Sequence, residues 1–175
     1  MGDYDRFTEY WANVAYQFVA QVYAGYDVEP LREIGAVDDA DHTSGANASF
    51  QPSSGKICLC PSYVAGRPGR VLEKLTHELT HAALDGFPAG DPFYEEGYTD
   101  FSVWVLAHAP VWGEYRRAMI ESAEENITLR RERALRDLSD YDRKRWAGGV
   151  FAAEMHGPML PIKLRMRKLE GTRYW

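Results

Sequence analysis

Apolar residues recur at spacings of three and four in two stretches of the first half of the chain, which is the period of an α-helix. Residues 69–85 form the clearer stretch, because one apolar stripe runs along it and Gly86 supplies a stop. Residues 5–24 form the other stretch, which ends at Gly25. Two amphipathic helices are therefore predicted. The core-facing residues predicted for the first are Phe7, Tyr10, Trp11, Val14, Phe18 and Val22.

Shorter apolar runs lie between these two helices and favour strands. Residues 28–37 predict a short strand followed by a polar loop. Residues 48–61 (ASFQPSSGKICLCP) contain two extended candidates separated by Pro-Ser-Ser-Gly, which predicts a hairpin.

The second half of the chain predicts helices alone. One covers about residues 93–107, and the next begins at Pro110 and runs to residue 138 with a break near Asn126. Ser139, followed three residues later by Asp142, predicts the cap of a last helix that ends at Glu154. This order of elements predicts an α+β fold. In it, a small, mostly antiparallel sheet packs on the helix of residues 69–85, and a mainly helical C-terminal half follows.

Length and charge limit the classes of protein. A chain of 175 residues suits a single compact domain, with a sheet-bearing half at residues 1–107 and a helical half at residues 108–175. The net charge of -6 and the pI near 5.4 argue against nucleic acid or an anionic membrane as a partner. The apolar stretch of residues 101–113 is shorter than the roughly 20 residues that span a bilayer.

The two cysteines, Cys58 and Cys60, are one residue apart. This spacing is unlike the disulfide framework of a small secreted protein. The opening residues, MGDYDR, carry two acids and no apolar run, so they predict no secretory signal. The sequence therefore predicts a cytoplasmic protein, and it marks no oligomeric state.

The helix of residues 69–85 contains an H-E-x-x-H sequence, in which His77 and His81 flank Glu78. Histidines four residues apart project from one helix face and can bind one ion, and the intervening glutamate lies beside that ion. In a chain with 5 histidines, a random shuffle yields this pattern in about one sequence per hundred. The alternative is a solvated helix face that carries two unrelated histidines. The rarity of the pattern favours a metal site with Glu78 as its base.

A catalytic zinc ion normally has three protein ligands, so a third ligand is needed. The segment YEEGYTDF at residues 94–101 offers the carboxylates of Glu95, Glu96 and Asp100. Glu96 and Asp100 share a helix face, so Glu96 can bind the metal while Asp100 accepts a hydrogen bond from a ligand histidine. Glu95 has no such partner four residues on. A glutamate at a helix N-terminus is also favoured by the helix dipole alone.

With this third ligand the sequence resembles the gluzincin metallopeptidases, the thermolysin-like and aminopeptidase-like group. In that family, H-E-x-x-H on one helix is followed by a glutamate ligand on the next, and the likeness here covers residues 47–105. The segment EGYTDF looks like N-E-G-F-A of the aminopeptidase branch and E-x-x-x-D of the thermolysin branch. The resemblance implies a zincin-like fold and Zn2+ held by His77, His81 and Glu96. It also implies Glu78 as general base and Asp100 as an outer partner.

The resemblance further implies a peptidase mechanism on a peptide or protein substrate. The metal activates a water molecule, and Glu78 takes its proton and passes it to the leaving amine. In this family a Tyr or His of the helical half usually stabilises the oxyanion. Tyr141 and His156 are the candidates here. The motif does not separate an endopeptidase from an exopeptidase.

Two other classes of protein remain open on the same residues. In one, the metal acts as a Lewis acid on a small metabolite, because a fold does not determine a reaction. In the other, a regulatory or binding protein carries a vestigial site, against which the intact Glu78 argues. The leading prediction is a zinc-dependent metallopeptidase.

Overall fold

The computed structural model describes residues 3–22, 33–36, 48–51, 56–59, 67–83, 92–137 and 139–155. The chain divides into two compact units, Met1–Asp85 and Gly86–Trp175. The organisation as one domain with halves at residues 1–107 and 108–175 stays a prediction. The described helices of the first unit are α1 (Asp3–Val22) and α2 (Pro68–Ala83). Those of the second are α3 (Pro92–Ala107), a 3-10 helix (Pro110–Tyr115), α4 (Arg116–Asp137) and α5 (Asp140–Met155).

Helices dominate the described residues, and the predicted α+β class is wrong. The α-helices have 16 to 22 residues each, whereas the strands β1 (Glu33–Ala36), β2 (Ala48–Gln51) and β3 (Lys56–Leu59) have 4. Strands this short do not supply the broad apolar face that a sheet layer of an α+β fold requires. The described part of the chain is therefore all-α in class, with a short ribbon of strands beside α2. No helix within these ranges has the length and apolar composition needed to cross a membrane.

The strand pairing also differs from the prediction of a mostly antiparallel sheet. β3 is the central strand of the ribbon. β1 runs parallel to β3, with Ile34 opposite Ile57. β2 runs antiparallel to β3, with Phe50 opposite Ile57. Alternating apolar residues indicate where a strand lies, but pairing direction depends on how the strands are connected. The ribbon is therefore mixed.

The first helix is present, but its fully buried side chains are small ones, and Trp11 and Phe18 of the predicted core residues are only half-buried. Ala12, Ala15 and Val19 are buried, whereas Tyr10 is 62% exposed. The ring of Tyr10 packs edge-on against Trp11, with the ring centroids 5.3 Å apart. α1 lies against α2, and small side chains at such an interface allow two helices to approach closely.

The helix predicted from Pro110 is divided near its start and not at Asn126. Gly113 adopts φ 56° and ψ -127°, a conformation that is available to glycine because it has no Cβ. α4 then begins at Arg116 and runs unbroken through Asn126. The buried Trp112 of the 3-10 helix donates a hydrogen bond from Nε1 to the carbonyl oxygen of Leu106, over 2.7 Å.

Helices α3 and α5 pack against each other through glycines. A Cβ atom on Gly97 of α3 would collide with the carbonyl oxygen of Trp146 on α5. A Cβ atom on Gly149 of α5 would collide with the carbonyl oxygen of Tyr94 on α3. The two backbones therefore approach more closely than any other residue at these positions permits. This contact fixes the register of α5 on the helix that carries the predicted glutamate ligand.

Candidate metal centre

Helix α2 presents the H-E-x-x-H residues. It begins at Pro68, which suits a first turn because the amide it lacks has no partner there. The carbonyl oxygen of Arg67 accepts the amide of Val71 over 3.2 Å. The apolar stripe predicted for this helix is confirmed, and its buried residues are Val71, Leu72, Leu75, Leu79 and Ala82.

Several polar residues of α2 are buried as well, and some of their groups have partners within the helix. The hydroxyl of Thr80 donates to the carbonyl oxygen of Thr76 over 2.7 Å. Nζ of Lys74 lies 3.3 Å from Oε2 of Glu73, and these side chains are 7% and 1% exposed. A buried charge is costly unless it is paired. α2 is therefore a core helix that buries polar as well as apolar side chains.

The burial of the motif overturns the alternative of a solvated helix face. His77 is 2% exposed and Glu78 is 7% exposed. Ionisable side chains are rarely this buried unless they are paired or bind a metal. His77 and Glu78 therefore belong to the interior of the protein, and His81 is half-buried beside them.

The two motif histidines face each other. Their Nε2 atoms lie 3.1 Å apart, and the rings meet edge-on with centroids 4.8 Å apart. Two nitrogens bound to one tetrahedral zinc ion at about 2.0–2.1 Å lie about 3.3–3.4 Å from each other. At the observed separation one imidazole can donate a hydrogen bond to the other, or both can bind the same ion.

Glu96 belongs to the same group of potential ligands. One ligand atom from each of His77, His81 and Glu96 lies within 4.8 Å of the other two, and no other group of this kind occurs among the described residues. Two imidazole nitrogens and a carboxylate oxygen form the donor set of one common type of catalytic zinc site. The residues present therefore fit a zinc ion. Glu95 is not part of this group.

Asp100 has partners on two other helices of its unit. Its Oδ1 accepts a hydrogen bond from Nδ2 of Asn126 over 3.1 Å, and its Oδ2 accepts one from Nε1 of Trp146 over 3.2 Å. Nε of Arg130 lies 3.0 Å from the same Oδ2. The guanidinium of Arg130 also lies 3.2 Å from Oε2 of Glu96. The support of a ligand histidine by Asp100 stays a prediction.

The sequence did not single out these partners of Asp100. The pattern predicted Asn126 as a helix break. One signal was available, because Asn126 and Arg130 are four residues apart and so share a face of α4. Two polar side chains on one face of α4 can contact two carboxylates on one face of α3, where Glu96 and Asp100 are also four residues apart.

The remaining candidates are of two kinds. The side chain of Tyr141 and the whole of His156 lie outside the described residues, so their role at an oxyanion stays a prediction. His108 is described and has a structural partner, since its Nδ1 lies 2.7 Å from the carbonyl oxygen of Trp104. The rings of His108 and Trp104 also pack edge-on, with centroids 4.7 Å apart.

No protein-family model, curated protein or solved structure matches this chain. Its chemistry is therefore inferred from its own side chains, of which the His77–His81 pair is the most specific. The resemblance to the gluzincins stays a prediction.

Proposed function

We propose that the protein is a zinc-dependent metallopeptidase of the gluzincin type. His77, His81 and Glu96 hold the metal, and Glu78 is the general base. One observation carries the proposal, namely that ligand atoms of the three residues lie within 4.8 Å of one another. The H-E-x-x-H spacing adds a glutamate beside this group.

A bound zinc ion would supply Lewis acidity, lowering the pKa of a water ligand and polarising the carbonyl group of a substrate. Glu78 directly follows His77 on α2. Its carboxylate accepts a proton from the attacking water and passes it to the leaving amine nitrogen. The low exposure of Glu78, 7%, supports this role, because it limits exchange of that proton with bulk solvent.

The proposed substrate is a peptide or protein in the cytoplasm. The support for the substrate class is the likeness of the ligand pattern to that of the gluzincins. The support for the compartment is the spacing of Cys58 and Cys60, which does not suit a disulfide framework. The net charge of -6 argues against nucleic acid as the partner. Labelling of both thiols in unfolded protein, without a reductant, checks the reduced state.

The test measures metal content and cleavage on the same preparation. Purified wild-type protein and the Glu78→Gln variant are assayed for zinc and then incubated with a diverse peptide library. We expect about one zinc per chain in both proteins, because glutamine at position 78 removes no ligand. We also expect cleavage that a chelator abolishes, at a rate roughly 10²–10⁴ lower in the variant.

Each other outcome has a definite meaning. One zinc per chain without cleavage of any peptide would favour an enzyme that uses the same site on a small metabolite. Equal cleavage by wild type and variant would remove Glu78 from the mechanism. Protein that takes up no zinc, even when zinc is added, would contradict both kinds of enzyme and favour a binding or regulatory protein.

A further inference from the structure

One guanidinium group joins the two carboxylates that are one turn apart on α3. Nη2 of Arg130 lies 3.2 Å from Oε2 of Glu96, and Nε of Arg130 lies 3.0 Å from Oδ2 of Asp100. Both contacts are ion pairs, because a guanidinium group stays charged and attracts each of the two carboxylates. Arg130 therefore couples the position of Glu96 to that of Asp100.

The Asp100 end of this link is the fixed end. Its side chain is fully buried, and it accepts hydrogen bonds from Asn126 on α4 and Trp146 on α5. The Glu96 end is less enclosed, since its side chain is 32% exposed. A glutamate with that exposure loses rotamer freedom when it binds a metal, unless another group already holds it.

We propose that Arg130 is a positioning residue for the metal ligand Glu96. By holding Oε2, it restricts the rotamers of the Glu96 side chain before a metal binds. This inference rests on the proposed function, because it takes Glu96 as the third zinc ligand. The groups that orient a ligating carboxylate or imidazole typically contribute a factor of about 10–100 to metal affinity.

The sign of the effect separates positioning from simple charge. A positive guanidinium near a bound cation repels it, so an arginine without a positioning role weakens metal binding. Its removal would then raise the zinc affinity. If Arg130 positions Glu96, its removal lowers the zinc affinity, although a positive charge has been taken away.

The test measures Zn2+ affinity by competition with a chromophoric chelator. Arg130→Gln should bind Zn2+ about 10–100-fold more weakly than wild type. Arg117→Gln is the matched control, because Arg117 lies on the same helix with its side chain 91% exposed. It removes the same charge and should leave the affinity unchanged. An Arg130→Gln variant that binds Zn2+ as tightly as wild type, or more tightly, would overturn the proposal.

A double-mutant cycle tests whether Arg130 acts through Glu96. In a Glu96→Gln background, Arg130→Gln should cause no further loss of Zn2+ affinity, because its target is gone. An equal loss in both backgrounds would overturn the proposal. The absorption spectrum of the Co2+-loaded protein gives a second readout, which in Arg130→Gln should shift toward that of Glu96→Gln.

Arg130→Lys covers the case in which Arg130→Gln does not fold. Lysine keeps the charge but offers a single ammonium group in place of the planar guanidinium. We expect weaker Zn2+ binding than in wild type, and wild-type affinity would overturn the proposal. Failure of the metal site itself gives a different result, since wild-type protein would then bind no Zn2+ at all.

Discussion

Gly149 of α5 lies so close to Tyr94 of α3 that a Cβ atom on the glycine would collide with the carbonyl oxygen of the tyrosine. Its neighbour Gly148 is different, because a Cβ atom there would meet the Tyr94 ring at an ordinary contact distance of 3.7 Å. Both glycines lie within the same helix. They therefore form a matched pair in which only one glycine is required by packing.

We predict opposite effects of alanine at these two positions. Gly149→Ala should destabilise the protein by about 1–3 kcal/mol, because backbone atoms must move to accept the methyl group. Gly148→Ala should stabilise it by about 0.5–1 kcal/mol, the difference in helix propensity between glycine and alanine. Urea denaturation of the two variants and wild type checks both values. Equal stabilities for the two variants would contradict the close approach of α3 and α5.

The predicted cap of the last helix is confirmed and gives a second prediction. The hydroxyl oxygen of Ser139 accepts the amide of Asp142 over 3.2 Å. Ser139→Ala should lower the free energy of unfolding by about 1 kcal/mol, because it leaves that amide without its side-chain partner. Ser139→Thr keeps the hydroxyl and should lose much less. Thermal unfolding of the three proteins makes the comparison, and an unchanged alanine variant would refute the cap.

The helices were predictable because their signals are local. The apolar period of α2, the stop signals and the Ser139 cap all lie within a few residues of the elements that they define. The face of α1 was not predictable in the same way. Both its aromatic and its small residues are spaced at the helical period, and among the described side chains the fully buried ones are Ala12, Ala15 and Val19. The strands were predicted from short apolar runs, and the antiparallel pairing of β2 with β3 confirms the predicted hairpin. Their four-residue length and the parallel pairing of β1 with β3 were not predicted.

The candidate site also has a part that was predictable from the sequence and a part that was not. His77, Glu78 and His81 lie within one turn of a helix, so their spacing is visible in the sequence. The partners of Asp100 are 26 residues away at Asn126 and 46 residues away at Trp146. No local pattern pairs residues at such distances along the chain. They meet because three helices pack together.

The buried carboxylate of Asp100 provides a third prediction. Asp100→Asn keeps the size of the side chain but removes the charge that pairs with Arg130. It should lower the free energy of unfolding by about 1.5–3 kcal/mol, the usual range for hydrogen bonds to charged groups. The variant is compared with wild type by urea denaturation.

Glu121→Gln is the control for this prediction. It also removes a carboxylate that contacts an arginine, since Glu121 lies 3.1 Å from Arg117, but the two side chains are 63% and 91% exposed. A surface pair of this kind contributes less than about 1 kcal/mol. If both substitutions cost the same, the network around Asp100 is not a buried one.

The paired histidines give a fourth prediction. His81→Gln should lose stoichiometric zinc, because it removes one of the imidazoles whose Nε2 atoms lie 3.1 Å apart. His108→Gln is the matched control, since His108 contacts the carbonyl oxygen of Trp104 and is outside the ligand group. It should retain zinc. Metal analysis after exhaustive dialysis distinguishes the two, and equal zinc content in both variants would argue that the metal binds elsewhere.

Glu95 and Glu96 are adjacent at the start of α3, and single substitutions show which of them is the third zinc ligand. Glu96→Gln should weaken Zn2+ binding by at least the factor of roughly 10–100 that an outer partner contributes, because a ligand itself is lost. Glu95→Gln removes the same charge one position earlier and should leave the affinity near that of wild type. Competition with a chromophoric chelator measures both. A weaker Glu95→Gln beside an unchanged Glu96→Gln would move the third ligand to Glu95, and two unchanged variants would leave the histidine pair without a carboxylate from this helix.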